Sequence, residues 1–210
     1  MLPSLDDFRT LAAAGATVIP VQRQVVADAL TPVVARQTLA TAFPGERTFL
    51  LESVVGGEKW ARYSFVGVGA DTVVRGGGGR FELTQRGETA VETGVDPWAR
   101  FGEVLAEWVP PVPEALASLQ LPRFWGGAVG YLAYDAVRRF EPTVGEAPRD
   151  DEDELAFGLG ATLLIFDALR QMVRVVVPAR VREADAGKGS GSREGAANSA
   201  FRPPRRRRSR

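Results

Sequence analysis

The sequence contains neither cysteine nor histidine among its 210 residues. Without cysteine the chain has no disulfide framework, no thiolate metal site and no cysteine nucleophile, which agrees with a reducing cytoplasm. Without histidine it lacks the commonest general base and the commonest protein metal ligand at neutral pH. These two absences exclude several large classes of enzyme and metal site.

Signals for export and membrane insertion are also missing. The amino terminus, Met1–Asp7, has neither the basic start nor the apolar core of a signal peptide. No uncharged stretch approaches the roughly 20 residues that span a bilayer. We therefore expect a soluble, cytoplasmic chain, and its hydrophobic content of 45% predicts one domain with a substantial core.

The formal net charge is zero, but the charges are unevenly distributed. Residues 183–210 hold eight basic and three acidic residues, so residues 1–182 carry an excess of five negative charges. The stretch 183–210 is of low complexity and ends in an arginine cluster, and its small apolar content predicts a disordered tail. Such a cluster can bind nucleic acid through phosphate charge, but the acidic body argues against that role.

Periodic apolar residues and turn signals predict an α+β domain with mostly antiparallel, curved sheets in a sandwich-like arrangement and three or four outer helices. Helices are expected to begin at Ser4, at Thr31-Pro32 and at Asp96-Pro97, where a capping residue or a first-turn proline precedes an apolar stripe. The apolar face of the third helix is expected to include Phe101, Leu105 and Trp108.

Apolar runs of strand type predict the strands of the domain. Pro20 removes a backbone donor from the first of them, which favours an edge position or a bulge. The predicted strands are Thr17–Val25, Thr48–Leu51, Tyr63–Val68, Asp71–Arg75, Arg80–Gln85, Thr89–Thr93, Phe124–Tyr134, Leu155–Asp167 and Gln171–Ala179.

Three further patterns have a structural and a functional interpretation. The glycines Gly76–Gly79 predict a hairpin tip and not a phosphate loop, because no Lys-Ser or Lys-Thr pair follows them. Tyr131 and Tyr134 could stack on a ligand, but their place in a run of aromatic and small residues favours a buried strand. The acidic run Asp150–Glu154 is interpreted as solvated surface and not as a metal site.

The most informative stretch is Thr48–Val68, in which two strands flank a polar insert. The insert brings a carboxylate, a hydroxyl and an ammonium group, from Glu52, Ser53 and Lys59, to one end of a sheet. Such a set can hold both ends of a zwitterionic small molecule. Because strand side chains alternate, Glu52 faces one side of the sheet, and Leu51 and Ser53 face the other. A solvated hairpin end whose charges pair with one another is the alternative.

Three blocks of the sequence, in this order, resemble the amino-terminal region of component I of anthranilate synthase, a chorismate-using family of tryptophan biosynthesis. The resemblance extends over roughly Leu5 to Arg182 and implies that residues 1–182 form the first half of that fold. Ala61 departs from the family, which usually has glycine there. The blocks are Leu50–Ser53 with Gly57–Trp60 and Arg62–Phe65, then Pro122–Asp135, then Ile165–Asp167 with Leu169–Gln171 and Val173–Val177.

The resemblance also implies a regulatory site. In this family the Leu-Glu-Ser stretch helps to form the site where tryptophan binds as a feedback inhibitor. Ser53 is then the best candidate contact, with Glu52, Leu51 and Lys59 as further ones. Pro20 matches an early strand that runs close to the same pocket.

In the family the catalytic residues, the magnesium-binding glutamates and the chorismate pocket belong to the carboxy-terminal part. We expect them to be absent here, so that this part of a lyase holds no catalytic residue and no cofactor and is inactive alone. It should expose sheet edges and apolar surface. The implied partners are L-tryptophan, a separate catalytic half and a glutamine amidotransferase subunit.

The tail and the function each leave alternatives open. Residues 183–210 are interpreted as non-native sequence at a truncated gene end, with a disordered linker as the alternative. Besides an enzyme part, the chain could be a stand-alone amino-acid-sensing module. It could also be a fragment of the sister enzyme, aminodeoxychorismate synthase component I.

Overall fold

The computed structural model of the chain describes residues 1–26, 29–52, 62–145 and 153–181. These ranges contain two five-stranded antiparallel sheets, three α-helices and three short 3₁₀ helices. The predicted α+β class with antiparallel sheets and outer helices is therefore confirmed. The α-helices are α1 (Leu5–Ala13), α2 (Pro32–Ala42) and α3 (Pro97–Ala106), and the 3₁₀ helices are Pro113–Leu119, Tyr134–Arg139 and Pro142–Val144.

The first sheet combines strands from both ends of the described chain. It consists of β1 (Val18–Val25), β2 (Thr48–Leu51), β3 (Tyr63–Val68), β9 (Thr162–Asp167) and β10 (Met172–Arg180), in the order β1-β10-β9-β3-β2. Pro20 lies on β1, an edge strand, as its missing N–H predicts. One face of the sheet packs against α2, where Ala35 contacts Val66, Phe166 and Val173.

The second sheet is formed by the middle of the chain. It consists of β4 (Thr72–Gly77), β5 (Arg80–Gln85), β6 (Glu88–Thr93), β7 (Ala128–Leu132) and β8 (Leu155–Leu159), in the order β6-β5-β4-β8-β7. Helix α3 covers one face of this sheet. Its Phe101 and Val104 form a core with the strand residues Val74, Phe81 and Leu155.

The helix starts predicted from capping residues are confirmed. The side chains of Ser4, Thr31 and Asp96 each accept a hydrogen bond from a backbone N–H of the first turn. The predicted apolar face of α3 is corrected at two of its three residues, because Leu105 is 38% exposed and Trp108 lies beyond the end of the helix at Ala106. Leu105 lies at the margin of the apolar stripe of α3, whose centre is occupied by Phe101 and Val104.

The predicted strand Leu155–Asp167 is divided between the two sheets. Its first half is β8 in the second sheet and its second half is β9 in the first sheet. Gly160 separates them with φ +76°, a conformation that residues with a side chain rarely adopt. A single strand was expected because the apolar character continues across this glycine, although a glycine inside a strand pattern can itself indicate a bend.

The glycine-rich turn is shorter than predicted. Gly76 and Gly77 belong to β4 and pair with Arg80–Phe81, so that only Gly78–Gly79 form the turn. A Cβ at Gly76 would lie 2.5 Å from the Cβ of Pro97. Glycine is therefore needed inside the strand because α3 approaches its backbone closely.

The buried strand expected at Phe124–Tyr134 is also corrected. The strand β7 is shorter and lies at the edge of the second sheet, where Tyr131 is 55% and Leu132 is 43% exposed. Tyr134 follows it with 91% of its surface exposed, so the expected core packing of both tyrosines is wrong. Among the described strands β7 pairs with β8 alone, and this leaves the exposed sheet edge and apolar surface that the resemblance implied.

No helix in the described ranges combines the length and the apolar character needed to cross a membrane.

Candidate functional site

The predicted hairpin at Thr48–Val68 is confirmed by the pairing of β2 with β3. These strands are antiparallel, with Thr48 opposite Val68 and Leu51 opposite Phe65. Two candidate contacts, Ser53 and Lys59, lie in 53–61, outside the described residues. The described part of the site is therefore the end of the first sheet where β2 ends and β3 begins.

The side chains of Leu51 and Glu52 lie on opposite faces of the first sheet. Leu51 is paired with Phe65 and shares its face, because directly opposite residues of an antiparallel pair point the same way. Glu52 instead places Oε1 3.5 Å from the hydroxyl oxygen of Ser64, whose side chain points to the other face. Leu51 is 44% exposed and open to a ligand on its own face.

Pro20 is buried on β1, at the opposite edge of the sheet from Leu51. Three strands lie between β1 and β2, which corresponds to roughly 19 Å across the sheet at about 4.8 Å per strand. The strand register therefore does not bring Pro20 and Leu51 into contact. Among the described candidates, only Leu51 and Glu52 lie at the same end of the sheet.

An ion pair between Arg62 and Asp167 lies where the chain re-enters the first sheet at β3. Arg62, immediately before β3, donates from Nε to Oδ1 of Asp167 at 3.0 Å and from Nη2 to Oδ2 at 2.8 Å. The side chain of Asp167 is fully buried, whereas that of Arg62 is 29% exposed. The paired guanidinium of Arg62 holds the pKa of the Asp167 carboxyl below its usual range, and a hydrogen bond from the Arg170 N–H lowers it further.

A second guanidinium lies behind this pair. Arg174 on β10 is fully buried, and its Nη1 is 3.8 Å from Oδ2 of Asp167. Among the described residues no group accepts a hydrogen bond from the Arg174 side chain. Two guanidinium groups thus face one buried carboxylate, and the described cluster holds an excess positive charge. Sequence analysis did not find it, because 105 residues separate Arg62 from Asp167 and no local pattern relates them.

An apolar wall extends from the ion cluster along the same face of the sheet. The Arg62 guanidinium carbon lies 4.8 Å from the ring centre of Tyr63, which is a cation–π arrangement. The Tyr63 and Phe65 rings are 6.2 Å apart, and Phe65 meets Phe124 edge-to-face at 5.2 Å. Since Phe65 is opposite Leu51, this end of the sheet combines a fixed cation with aromatic and aliphatic side chains.

Two described members of the acidic run take part in ion pairs. Asp153 accepts from Nε of Arg75 at 2.7 Å. Glu154 accepts from Nε1 of Trp98 at 3.0 Å and from Nε of Arg139 at 2.9 Å. Within the described part of the chain, no group of three or more acidic side chains is placed to hold a metal ion.

A shallow groove of about 530 Å³ lies elsewhere on the molecule. Its walls are mostly apolar and include Trp108, Trp125 and several prolines. Arg123 is its one charged lining residue among those described. The groove does not include any residue of the hairpin site.

Comparison with known proteins finds extensive similarity to one kind of enzyme. The chain is 35% identical over 189 residues to anthranilate synthase component 1 of Acinetobacter calcoaceticus, covering 88% of this chain and 37% of that protein. It is 35% identical over 176 residues to the same component of Aquifex aeolicus, covering 83% of this chain and 34% of that protein. In Mycobacterium tuberculosis H37Rv the identity is 41% over 138 residues, with coverages of 66% and 26%.

A solved structure resembles the chain more weakly. Anthranilate synthase component I from Streptococcus pneumoniae TIGR4 matches 85% of this chain and 34% of its own, with 21% identity and a TM-score of 0.38, which is too low to add to the sequence match. No protein-family model matches the chain. The chain spans only about a third of the curated relatives from Acinetobacter and Aquifex. The resemblance inferred from the sequence is nevertheless confirmed, because most of this chain is homologous to about a third of anthranilate synthase component 1.

Proposed function

We propose that this chain is the amino-terminal, tryptophan-binding regulatory part of anthranilate synthase component I. The observation that carries the proposal is the homology of most of the chain to that component. The complete enzyme, in this proposal, converts chorismate with glutamine or ammonia into anthranilate and pyruvate in the cytoplasm. In this proposal the catalytic residues and the Mg²⁺ belong to the carboxy-terminal part of the complete enzyme, which works with a glutamine amidotransferase partner.

Four acids of the described chain are surrounded by groups that favour their ionised form. The pKa values of Glu92, Glu141, Glu154 and Asp167 each lie below the ordinary value of a carboxyl group. Hydrogen bonds from arginine or threonine lower the pKa of Glu92, Glu141 and Asp167. At Glu154 burial raises the pKa, but hydrogen bonds from Arg139 and Trp98 outweigh this effect. A general acid at neutral pH needs the opposite displacement of its pKa. None of these four groups therefore has the raised pKa that a general acid needs to protonate a leaving group at neutral pH.

The absence of catalysis has a direct test. Purified chain, given chorismate, Mg²⁺ and ammonia, is expected to produce no anthranilate, measured by its fluorescence against a complete anthranilate synthase as positive control. Formation of anthranilate above the rate of a chain-free blank would contradict this part of the proposal.

The end of the first sheet supports the choice of an aromatic amino acid as effector. Leu51, Tyr63 and Phe65 provide apolar surface, and Arg62 provides a fixed positive charge beside it. Ser53, with Glu52 and Lys59, remains in this proposal as a contact for the polar end of tryptophan. Pro20 lies on the opposite edge strand of the first sheet, so in this proposal it lines a part of the pocket away from Leu51.

Calorimetric titration of L-tryptophan into the purified chain tests the effector site. We expect saturable binding by the wild-type chain and a Kd raised roughly tenfold or more by Ser53→Ala, as expected when a hydrogen bond to a charged group is lost. Ser118→Ala, an exposed serine on the 3₁₀ helix Pro113–Leu119, is the matched control and should leave the Kd unchanged. A folded wild-type chain that releases no saturable heat would refute the tryptophan site.

A further inference from the structure

We propose that Arg62 receives the carboxylate of the amino-acid effector and that Asp167 positions Arg62 for this contact. The inference rests on the effector site proposed above and assigns one part of it. It identifies the class of ligand group at this point of the sheet as a carboxylate, attached to an apolar or aromatic body.

Hydrogen bonds to Asp167, the last residue of β9, and to Ala168, which follows it, determine the orientation of Arg62. Its carbonyl oxygen accepts a hydrogen bond from the N–H of Ala168 at 2.9 Å. Its side chain makes the two hydrogen bonds to Asp167, at 3.0 and 2.8 Å. With both main chain and side chain held, the guanidinium is pre-organised, and little conformational entropy remains to be lost when a ligand binds.

Arg62 retains donors for a ligand after it has paired with Asp167. A guanidinium has five N–H donors, and Asp167 accepts from Nε and from Nη2 only. The hydrogen bonds that the Arg62 side chain makes to described residues all go to Asp167. The Arg62 side chain is 29% exposed, so it is not enclosed by its pairing with the fully buried Asp167.

The charge of the cluster favours an anion at this place. An isolated bidentate pair of Arg62 and Asp167 would be neutral, but Arg174 adds a second, fully buried guanidinium 3.8 Å from the same carboxylate. Charges interact more strongly in a poorly solvated site than in water. A ligand carboxylate placed on Arg62 would balance the excess positive charge of the three groups.

The surroundings of Arg62 select the rest of the ligand. Its guanidinium stacks over Tyr63, and the ring of Phe65 follows on the same strand and face. Leu51 lies opposite Phe65 and is 44% exposed. An amino acid with its carboxylate on Arg62 can therefore lay an aromatic side chain along this wall. A small or strongly polar amino acid would bury nothing there.

The Kd values of three indole ligands distinguish the loss of a carboxylate contact in an Arg62 variant from a general loss of structure. They are L-tryptophan, 3-indolepropionate, which lacks the ammonium group, and tryptamine, which lacks the carboxylate. We expect Arg62→Gln to raise the Kd of the first two roughly tenfold or more, and to leave the Kd of tryptamine unchanged. Arg62→Lys should recover part of the affinity, because it retains the charge and loses the paired donor geometry. Equal weakening of all three ligands, or of none, would overturn the proposal.

The matched control is Arg75→Gln. Arg75 also pairs with an aspartate, Asp153, but it lies in the second sheet, away from the hairpin site. Its replacement should change none of the three Kd values. An effect as large as that of Arg62→Gln would show that any loss of an ion pair weakens binding, and this result too would overturn the proposal.

Different binding results would contradict the role of Arg62 and the binding of tryptophan. If the wild-type chain binds 3-indolepropionate through Arg62 but not L-tryptophan, the carboxylate site stands and the tryptophan function is wrong. If L-tryptophan binds equally well to wild type and Arg62→Gln, the function stands and the role of Arg62 is wrong. If neither ligand binds, and neither shifts the Nε–H resonance of Arg62 in NMR spectra of the folded chain, both are wrong.

Discussion

Replacing Asp167 with asparagine is expected to lower the free energy of unfolding by about 3 kcal/mol at pH 7. The substitution keeps the shape of the side chain but removes the carboxylate that faces Arg62 and the fully buried Arg174. An uncompensated buried charge is costly because water no longer solvates it and no counter-charge replaces that solvation. Urea denaturation followed by circular dichroism measures the loss.

This loss should depend on pH in a defined direction. The folded-state pKa of Asp167 is lowered by its hydrogen bonds from Arg62, so the stabilisation is fully present above the unfolded pKa of about 3.9. It is lost as the pH falls through the lower, folded-state pKa. The stability difference between wild type and Asp167→Asn should therefore be constant from about pH 5 to 7 and shrink progressively below about pH 4.

Asp153→Asn provides the matched control for Asp167→Asn. Asp153 also pairs with an arginine, Arg75, but the arginine side chain is 47% exposed and solvent screens the pair. We expect this substitution to cost less than about 1 kcal/mol. If the two substitutions cost the same, or if the loss at Asp167 does not diminish in acid, the buried cluster is not the source of the stability.

Replacing Gly160 with alanine is expected to lower the free energy of unfolding by about 2–4 kcal/mol. Two costs combine at this position. The backbone has φ +76°, which is unfavourable for a residue with a Cβ. The added Cβ would also lie 2.6 Å from Cη2 of Trp108 and 3.0 Å from Cβ of Asp71, so the packing between the sheets would have to shift. Thermal denaturation would register the change as a lower Tm.

Gly87→Ala separates these two costs. Gly87 has a similar φ of +85° in the turn between β5 and β6, but a Cβ there would meet no atom within 4 Å. Its replacement should therefore show the backbone cost alone, about 1–2 kcal/mol. A loss at Gly160 no larger than the loss at Gly87 would mean that Trp108 moves aside freely and that the contact does not constrain the junction of the two sheets.

The sequence by itself determined the local elements of this protein. Ser4, Thr31 and Asp96 cap the helices at the predicted places. The two strands of the central hairpin begin and end at the predicted residues, Thr48–Leu51 and Tyr63–Val68. Capping, turn formation and side-chain alternation depend on residues a few positions apart, so their signals are present in any short window of sequence.

The tertiary structure alone decided which distant residues meet and which surfaces remain open. Arg62 and Asp167 come together because β3 and β9 are neighbours, and the chain changes sheets at Gly160 without a change in its apolar pattern. Strand β7 has the composition of a core strand, but within the described residues it pairs only with β8, and Tyr131 is exposed. Strand order depends on contacts between residues far apart in the chain, and these contacts leave no mark on the local spacing of residue types.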